Sequence, residues 1–412
     1  MCRRLSCRCY LISRVIGSIN RKMKRVCRLA YPFFVCNFRE VFSTIYANFA
    51  LMKVLFALSI HRVDDERVNA QQMETLNRAG FQTAAVSLID EGKMDGTFSF
   101  REKISYLKSR FADMPSDVIV GDSPIVILAA WLYKLQFNKN LRIVYDVTEW
   151  VPSKKNLTNC PLLLQPIKVL VLMLFSGLAG CFTSAFLFGE YFKAKPFRFF
   201  FKWKPYLFLS YYATYKDIKR YPNRKKGEPW RLCYSGGITS EKGFDKVSSV
   251  IRKVALKRPQ ETFVFKFFSS KNPLKEGVFP PNVVLDYCGY LSFNEFCARI
   301  GEADIYFDLR RNDFENNRCL PIKLFYYMAS GRVVIYSDLK AIRVGVPEID
   351  TIGVLVNPNQ EDEIVEAVLK YIDNEDLFEK QCLNAKSLSE SKYNWESIEQ
   401  SFIDFIKRVG NG

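Results

Sequence analysis

GEADIYFDLRRNDFENNRCLPIKLFYYMASGRVVIYSD (residues 301–338) combines two strands, a long polar loop and a helix in one segment. The pattern predicts strands at Asp304–Leu309 and Val333–Ser337, with a helix at Pro321–Ser330 between them that ends before a glycine. In a parallel sheet, this order directs the N-terminus of the helix into a cleft at the carboxyl edge. Lys323 lies in the first turn, where a cation is unfavourable for the helix dipole unless an anion binds there. The segment therefore predicts a site for a phosphorylated ligand.

The same alternation of strand and helix extends through the rest of the chain. Continuous apolar runs such as Val54–Ile60 are typical of strands buried on both faces of a parallel sheet. The polar, basic segment KDIKRYPNRKKGEP (216–229) contains proline and glycine and predicts a linker between two domains. After it the pattern restarts, with a strand at Arg231–Tyr234 and a helix from Gly243 to Lys257. The fold class is therefore α/β, with doubly wound sheets in two domains.

Three segments carry a resemblance to a known family. The run Pro-x-Lys-Leu-Phe-x-Tyr-Met-Ala-x-Gly (321–331) resembles the donor-site helix of GT-B glycosyltransferases of the family 4 (group 1) type. YSGGITSEKGFD (234–245) resembles the first loop of their donor domain, and KYNWESIEQSFIDFI (392–406) resembles their C-terminal helix. The similarity extends over roughly residues 53–410. It implies two Rossmann-like domains that face each other across a cleft, with the C-terminal helix crossing back to the first domain.

The resemblance also assigns a role to each part of the chain. Residues 52–215 would form the acceptor-binding domain, 216–229 the linker, 230–390 the nucleotide-sugar-binding domain and 391–412 the crossover helix. The implied reaction moves a sugar from a nucleotide-sugar to a hydroxyl of a lipid-linked or saccharide acceptor, with retention of anomeric configuration, in surface polysaccharide synthesis. The nucleotide-sugar is the donor substrate, and neither a cofactor nor a metal is expected.

Residues of the donor loop are candidates for binding the diphosphate. Gly236 and Gly237 follow a predicted strand, so the backbone can approach a ligand closely, and Lys242 adds positive charge. A tight turn with a surface lysine is the alternative. In the family an Arg usually follows the first glycine of this loop, and Gly237 takes its place here. By resemblance, Tyr290 after a later strand would form a shelf for the base.

The donor helix departs from the family at two positions. Family members usually carry two glutamates spaced E-x7-E, and the matching positions here are Arg318 and Tyr326. A tyrosine can hydrogen-bond a ribose hydroxyl, and an arginine can bind phosphate or an acidic sugar. The departure puts the identity of the donor in question. It also leaves open a catalytically degenerate subunit that binds a partner or a membrane.

Three residues of the first domain are candidates for catalysis at the acceptor side. Asp146 and Glu149 follow a predicted strand, where carboxylates could orient or deprotonate an acceptor hydroxyl. Helix capping by Asp146 and surface exposure of Glu149 form the alternative. His61, the only histidine, directly follows the first strand, although a lone histidine is more often structural.

Charge and cysteine usage restrict the class of protein. Of the net charge of +17, residues 1–51 contribute +9, from ten Lys and Arg against Glu40. This segment is predicted to be either a basic anchor at a membrane surface or the product of a misplaced start codon. The remaining excess is modest and no nucleic-acid motif is present, so no nucleic-acid partner is expected. Scattered cysteines favour the cytoplasm over a disulfide framework or a zinc site.

Two neighbouring segments allow contact with a membrane. Residues 169–189 carry no charge, which permits either a membrane-spanning helix or a buried helix followed by a core strand. The next segment, EYFKAKPFRFFFKWKP (190–205), mixes basic and aromatic residues. It predicts either a patch at an anionic membrane surface or a solvated helix end with core phenylalanines. The expected location is cytoplasmic, with peripheral contact at the inner face of the cell membrane.

Overall fold

The strands of this chain form two sheets of six parallel strands each, one in each half of residues 52–412. This computed structural model describes residues 51–94, 98–149, 152–158, 160–274 and 277–412. The predicted α/β architecture of two Rossmann-like domains is confirmed. The basic extension predicted at 1–51 lies, except for Leu51, outside the described residues.

The first sheet has the strand order β2-β1-β3-β4-β5-β6. Its strands are β1 (Lys53–Leu58), β2 (Gln82–Ser87), β3 (Val118–Gly121), β4 (Arg142–Val147), β5 (Ala185–Phe188) and β6 (Tyr206–Phe208). A π-helical segment, Arg67–Met73, continues into the first α-helix. The helices are α1 (Glu74–Arg78), α2 (Phe100–Asp113), α3 (Pro124–Gln136), α4 (Lys154–Leu157), α5 (Gln165–Phe182) and α6 (Tyr191–Phe200).

The second sheet has the order β12-β11-β10-β7-β8-β9. Its strands are β7 (Trp230–Ser235), β8 (Phe263–Phe268), β9 (Val283–Gly289), β10 (Ile305–Asp308), β11 (Val333–Ser337) and β12 (Gly353–Val356). Its helices are α7 (Phe244–Lys257), α8 (Phe293–Arg299), α9 (Ile322–Ala329), α10 (Lys340–Gly345), α11 (Glu361–Asp373) and α12 (Glu375–Ser391). Because β7 lies between β10 and β8, the loops after these strands meet at one edge of the sheet.

The burial of the strands explains why continuous apolar runs in the sequence predicted them. In β3, β5, β10 and β11 every residue is buried, as expected for strands with helices on both faces. The first residue of β1 is exposed and the other five are buried. An edge strand departs from this pattern, since every residue of β9 is half-buried or exposed.

The C-terminal segment returns to the first domain by a broken helix. A turn separates α12 from α13 (Glu399–Asn411), so the helical segment expected at 392–406 begins later than the resemblance implied. The side chain of Asn394 caps the intervening 3-10 turn by accepting a hydrogen bond from the Ser397 backbone. Helix α13 then packs with Trp395 against the apolar side chains of β1 and β3.

The uncharged stretch at 169–189 forms the second part of α5, followed by the fully buried strand β5. The expected core strand is thus present. The helix, however, is not buried, because only 11% of its apolar stretch is buried within the protein. Leu162–Phe182 is the helix among the described residues that is long and apolar enough to cross a membrane. Segment 190–205 forms α6, and Phe199 and Phe200 at its end are exposed.

Candidate functional site

A cleft of about 1050 Å³ lies where the carboxyl ends of the two sheets face each other. Residues 60–62 and 64–67 after β1, with Gln71 and Tyr211, line it from the first domain. The second domain contributes the loops after β7, β8 and β9 and the start of α9. Of the predicted site residues, this cleft brings together five: His61, Gly236, Gly237, Tyr290 and Lys323.

Lys323 connects α9 to the loop after β7. Its ammonium donates a hydrogen bond to the Ser235 carbonyl and lies 5.5 Å from the centroid of the Tyr234 ring. Burial lowers the pKa of Lys323 to about 8, although the Asp308 carboxylate opposes this shift. The positive charge of Lys242 also lowers this pKa. An anion in the cleft would relieve both effects by stabilising the protonated lysine.

The glycines of the β7 loop allow this close approach. Gly236 has a φ of +123°, and a Cβ atom there would lie 2.4 Å from the Lys323 Nζ. Any other residue would displace the lysine and would strain the backbone. The carbonyl of Gly237 accepts a hydrogen bond of 2.6 Å from the Tyr234 hydroxyl, which fixes the shape of the loop. The loop therefore holds its backbone close to the lysine at the cleft wall.

Lys242 and Arg318 lie outside the residues that line the cleft. Lys242 is half-buried in the turn that precedes α7, close enough to influence the pKa of Lys323. The Arg318 guanidinium lies 3.6 Å from the centroid of the Phe314 ring and donates to the Phe314 carbonyl at 2.9 Å. Arg318 therefore packs on its own loop.

Tyr326 is buried, and its hydroxyl donates a hydrogen bond to the carboxylate of Glu66. The rings of Phe293 and Phe296 pack against it edge-on. Glu66, from the opposite domain, lines the cleft. A carboxylate is thus present beside Tyr326, where the family carries a glutamate on the helix, but it belongs to Glu66 of the first domain. Burial raises the pKa of Glu66 to about 7, and the hydrogen bond from Tyr326 opposes the shift.

His61 is held at the cleft by Asp122. The buried Asp122 carboxylate accepts hydrogen bonds from the backbone N–H groups of Ser59, Ile60 and His61, and it lies 3.2 Å from His61 Nδ1. Burial lowers the pKa of His61, but the hydrogen bond and charge of Asp122, with the charge of Asp65, raise it above its ordinary value overall. The Asp122 carboxylate therefore holds the His61 ring in a fixed orientation at the cleft.

Asp146, one residue before the end of β4, forms a buried ion pair with Arg67. The two guanidinium–carboxylate distances are 2.5 and 3.1 Å, and Gln72 donates to the same carboxylate at 3.3 Å. Asp146 lines a separate small pocket of about 10 Å³ beside the cleft, whereas Arg67 lines both. Glu149 is exposed and lines neither. The carboxylate of Asp146 thus reaches the cleft through Arg67.

A second buried ion pair lies within the first domain, and one of its members contacts the second domain beside the cleft. The Glu190 carboxylate lies 2.6 Å from Lys193 Nζ and accepts a hydrogen bond of 2.5 Å from the Leu320 backbone, just before α9. Lys193 also donates to the Thr148 carbonyl, which accepts from the Tyr211 hydroxyl at 3.2 Å. These contacts fix the start of α9 relative to the ends of β4 and β5.

Sequence reasoning missed several residues of this site, including Glu66, Arg67 and Asp122. Their partners are 260, 79 and 61 to 63 residues away in the chain, and no local pattern links them. The usable signal was their position after β1 and β3, where parallel strands present loops to a ligand. Among the described residues, no group of three or more His, Cys, Asp or Glu side chains could hold a metal ion.

Comparison with solved structures finds proteins of the same architecture. Sucrose-phosphate synthase from Thermosynechococcus elongatus is 11% identical, with a TM-score of 0.65 over 87% of this chain and 99% of that one. HepE from Anabaena, solved with UDP-glucose, is 11% identical, with a TM-score of 0.61 over 87% of this chain and 100% of that one. Both are similar along nearly their whole length.

An enzyme of another class has the same architecture. UDP-GlcNAc 2-epimerase from Neisseria meningitidis, solved with UDP-GlcNAc, is 13% identical, with a TM-score of 0.53 over 87% of this chain and 100% of that one. No protein-family model and no curated protein matches the chain. At these identities the likeness concerns the fold. The chain has the GT-B fold, with two Rossmann-like domains facing each other across a cleft.

Proposed function

We propose that this protein is a glycosyltransferase that takes a sugar from a nucleotide-sugar and transfers it to an acceptor hydroxyl. The observation that carries the proposal is Lys323. Its pKa is lowered to about 8 by burial at the wall of a 1050 Å³ cleft, beside a glycine backbone that fits against it. The protonated form of a half-buried lysine of this kind is stabilised when an anion binds. The diphosphate of a nucleotide-sugar supplies that anion.

The donor would lie along the second domain. Lys323 and the backbone of Gly236 and Gly237 would bind the diphosphate, and Lys242 would add long-range positive charge. Their charge stabilises the diphosphate as it leaves, so the transition state is bound more tightly than the substrate. Tyr290 lines the cleft with 84% of its surface exposed, which suits stacking against a base. The sugar would point toward Glu66 and His61. No metal or other cofactor enters this proposal.

The acceptor would enter from the first domain. His61, oriented by Asp122, faces the cleft and would donate a hydrogen bond to the acceptor or to the sugar. Asp146 would act as a positioning residue through Arg67. The acceptor in this proposal is a lipid-linked or saccharide hydroxyl used in surface polysaccharide synthesis. The protein would work in the cytoplasm with peripheral contact at an anionic membrane, and the resemblance to family 4 favours retention of configuration.

A second candidate is a catalytically degenerate subunit of the same fold. The observation that favours it is the buried Tyr326, which replaces a family glutamate and directs its hydroxyl to Glu66. In the family, the side chain at this position binds the ribose. Here the Tyr326 hydroxyl is already hydrogen-bonded to Glu66. Such a subunit would bind a partner or a membrane without transferring a sugar.

The test is the thermal stability of the full chain with a panel of UDP-, GDP-, dTDP- and CMP-sugars. Lys323→Ala should abolish a donor-specific rise in Tm, because ligand binding stabilises the folded state by mass action. Lys370→Ala removes an exposed lysine on α11 and is the matched control. Wild-type protein that shows no shift with any donor contradicts the proposal. If a donor raises the Tm but product analysis finds no sugar transferred to any acceptor, the degenerate subunit is favoured.

A further inference from the structure

Helix α5 presents an apolar face that no other part of the described chain covers. Its exposed residues follow the spacing of one helix face and include Ile167, Leu170, Val171, Leu174 and Leu178, each more than half exposed. The turn before it adds Leu162 at 80% and Leu163 at 91% exposure. Soluble monomers rarely expose a contiguous apolar surface of this size without a binding role.

The opposite face of the same helix is packed in the ordinary way. Phe182 stacks on Trp131 of α3 with ring centroids 4.0 Å apart, and Phe175 contacts Phe100 edge-on at 5.7 Å. Thr183, directly after the helix, donates a hydrogen bond of 2.8 Å to the Ile143 carbonyl in β4. The helix is therefore fixed on the sheet and lies along the surface of its domain. It cannot cross a membrane without leaving the sheet.

A cluster of aromatic residues extends the apolar face at the end of α5. A Cβ atom on Gly180 would lie 2.4 Å from the Phe201 ring, so this ring packs directly on the helix backbone. Lys204 donates to the carbonyls of Gly180, Cys181 and Thr183 at 2.6 to 2.8 Å, which caps the helix. Phe199, Phe200 and Trp203 project beside this junction with exposures of 76%, 64% and 71%.

The border of this surface is positively charged. Lys195 and Lys202 are exposed next to the aromatic cluster, and the Arg198 guanidinium lies 4.7 Å from the Tyr206 ring centroid. Glu190 is the only acid between residues 160 and 205, and it is buried in its pair with Lys193. Apolar residues, interfacial aromatics and a basic border together match the boundary of an anionic lipid bilayer.

We propose that α5 and the aromatic cluster at 199–203 form a surface that lies in the plane of an anionic membrane. Apolar side chains would enter the acyl region while Lys195 and Lys202 contact the headgroups. A symmetric dimer through the same face would bring two like-charged borders together, which is unfavourable. The proposal does not depend on nucleotide-sugar binding. It would place a transferase where a lipid-linked acceptor lies.

The test compares binding of the full chain to vesicles of phosphatidylcholine alone and of phosphatidylcholine with about 30% phosphatidylglycerol. The double variant Leu170→Glu with Leu174→Glu should weaken binding about tenfold or more, because each leucine loses its transfer into lipid. Leu256→Glu with Leu383→Glu is the matched control, since these leucines are 65% and 66% exposed on α7 and α12. An unchanged Tm shows that each variant folds.

A second pair of variants separates the basic border from the apolar face. Lys195→Gln with Lys202→Gln should weaken binding to anionic vesicles only, whereas Lys370→Gln with Lys380→Gln should have no effect. All variants keep residues 1–51, so binding driven by that basic segment would survive the α5 changes and overturn the proposal. A concentration-dependent dimer that dissociates in the α5 variant, without vesicle binding, would also overturn it.

Discussion

At the scale of single residues, Lys323 has an environment that a surface lysine lacks. Its ammonium is hydrogen-bonded to the Ser235 carbonyl, and burial outweighs the attraction of the Asp308 carboxylate. Arg310, 2.9 Å from Asp308, and Lys323 hold the pKa of that carboxyl below its ordinary value even though burial alone would raise it. Three positive charges, on Lys323, Lys242 and Arg310, therefore act on the Asp308 carboxylate.

The lowered pKa of Lys323 predicts how donor binding depends on pH. Above its pKa of about 8, Lys323 loses its charge in the free protein. Binding of a diphosphate at higher pH therefore requires the lysine to take up a proton. Above about pH 8, affinity for a nucleoside diphosphate should therefore fall by up to about tenfold per pH unit. Below about pH 8, the titration of Lys323 should change the affinity little. Calorimetry between about pH 7 and 9.5, in buffers of different ionisation enthalpy, measures both the affinity and the proton uptake.

The control for this prediction is Lys323→Arg, which stays charged throughout the range. Its affinity should lose the pH dependence even if its value at neutral pH is lower. Wild-type affinity that stays constant up to about pH 9.5, without proton uptake, would show that Lys323 does not contact the diphosphate.

At the scale of elements, the turn between β7 and α7 contacts the loop that leads to α9. Gly243 precedes α7 with a φ of +78°, and a Cβ atom there would lie 2.1 Å from the Leu309 carbonyl oxygen. The turn thus packs directly against the end of β10, which leads into the loop before α9. Backbone contact between the two loops fixes Lys242 relative to Lys323.

Gly243→Ala should lower the free energy of unfolding by about 3 kcal/mol, because strain at positive φ adds to a clash with backbone. Gly227→Ala is the matched control: its φ is +87° but nothing lies within 4 Å of the added Cβ. It should cost only about 1 kcal/mol. Urea denaturation of both variants measures the difference. Equal losses would mean that the contact with Leu309 is readily relieved.

At the scale of the whole molecule, the C-terminal helix completes the core of the first domain. Phe402, Phe405 and Ile406 of α13 pack with apolar residues of β1 and β3. Trp395, just before the helix, donates a hydrogen bond of 2.9 Å to the Thr75 hydroxyl. The first domain therefore depends on residues from the far end of the chain, and the two domains are expected to unfold together.

Phe402→Ala should destabilise the protein by about 3 to 5 kcal/mol, since the ring is fully buried and its removal leaves a cavity. Gln400→Ala, on the exposed side of the same helix, should cost well under 1 kcal/mol. Differential scanning calorimetry would report one lowered transition for Phe402→Ala. A separate transition of the second domain at its original temperature would disprove the joint unfolding.

Residues 301–338 were sufficient to predict β10, α9 and β11: the ends of β10 and α9 differ from the prediction by one residue each, and β11 has the predicted bounds. Local signals suffice there because buried parallel strands are continuously apolar and the helix ends at a glycine. The same signals left open whether the stretch at 169–189 forms a membrane-spanning helix or a buried helix followed by a core strand, and α5 proved to be mostly exposed. Composition cannot distinguish a helix covered by protein from one whose apolar face is open, since both are equally apolar.

The sequence by itself determined the alternation of elements, the fold class and the placement of Lys323 at the start of a helix, because each depends on residues close together in the chain. The tertiary structure alone decided which side chains meet at the cleft. Glu66 contacts Tyr326 across 260 residues, and Arg67 contacts Asp146 across 79. Such pairs form only after two sheets have packed, so the distance in sequence carries no signal of the contact.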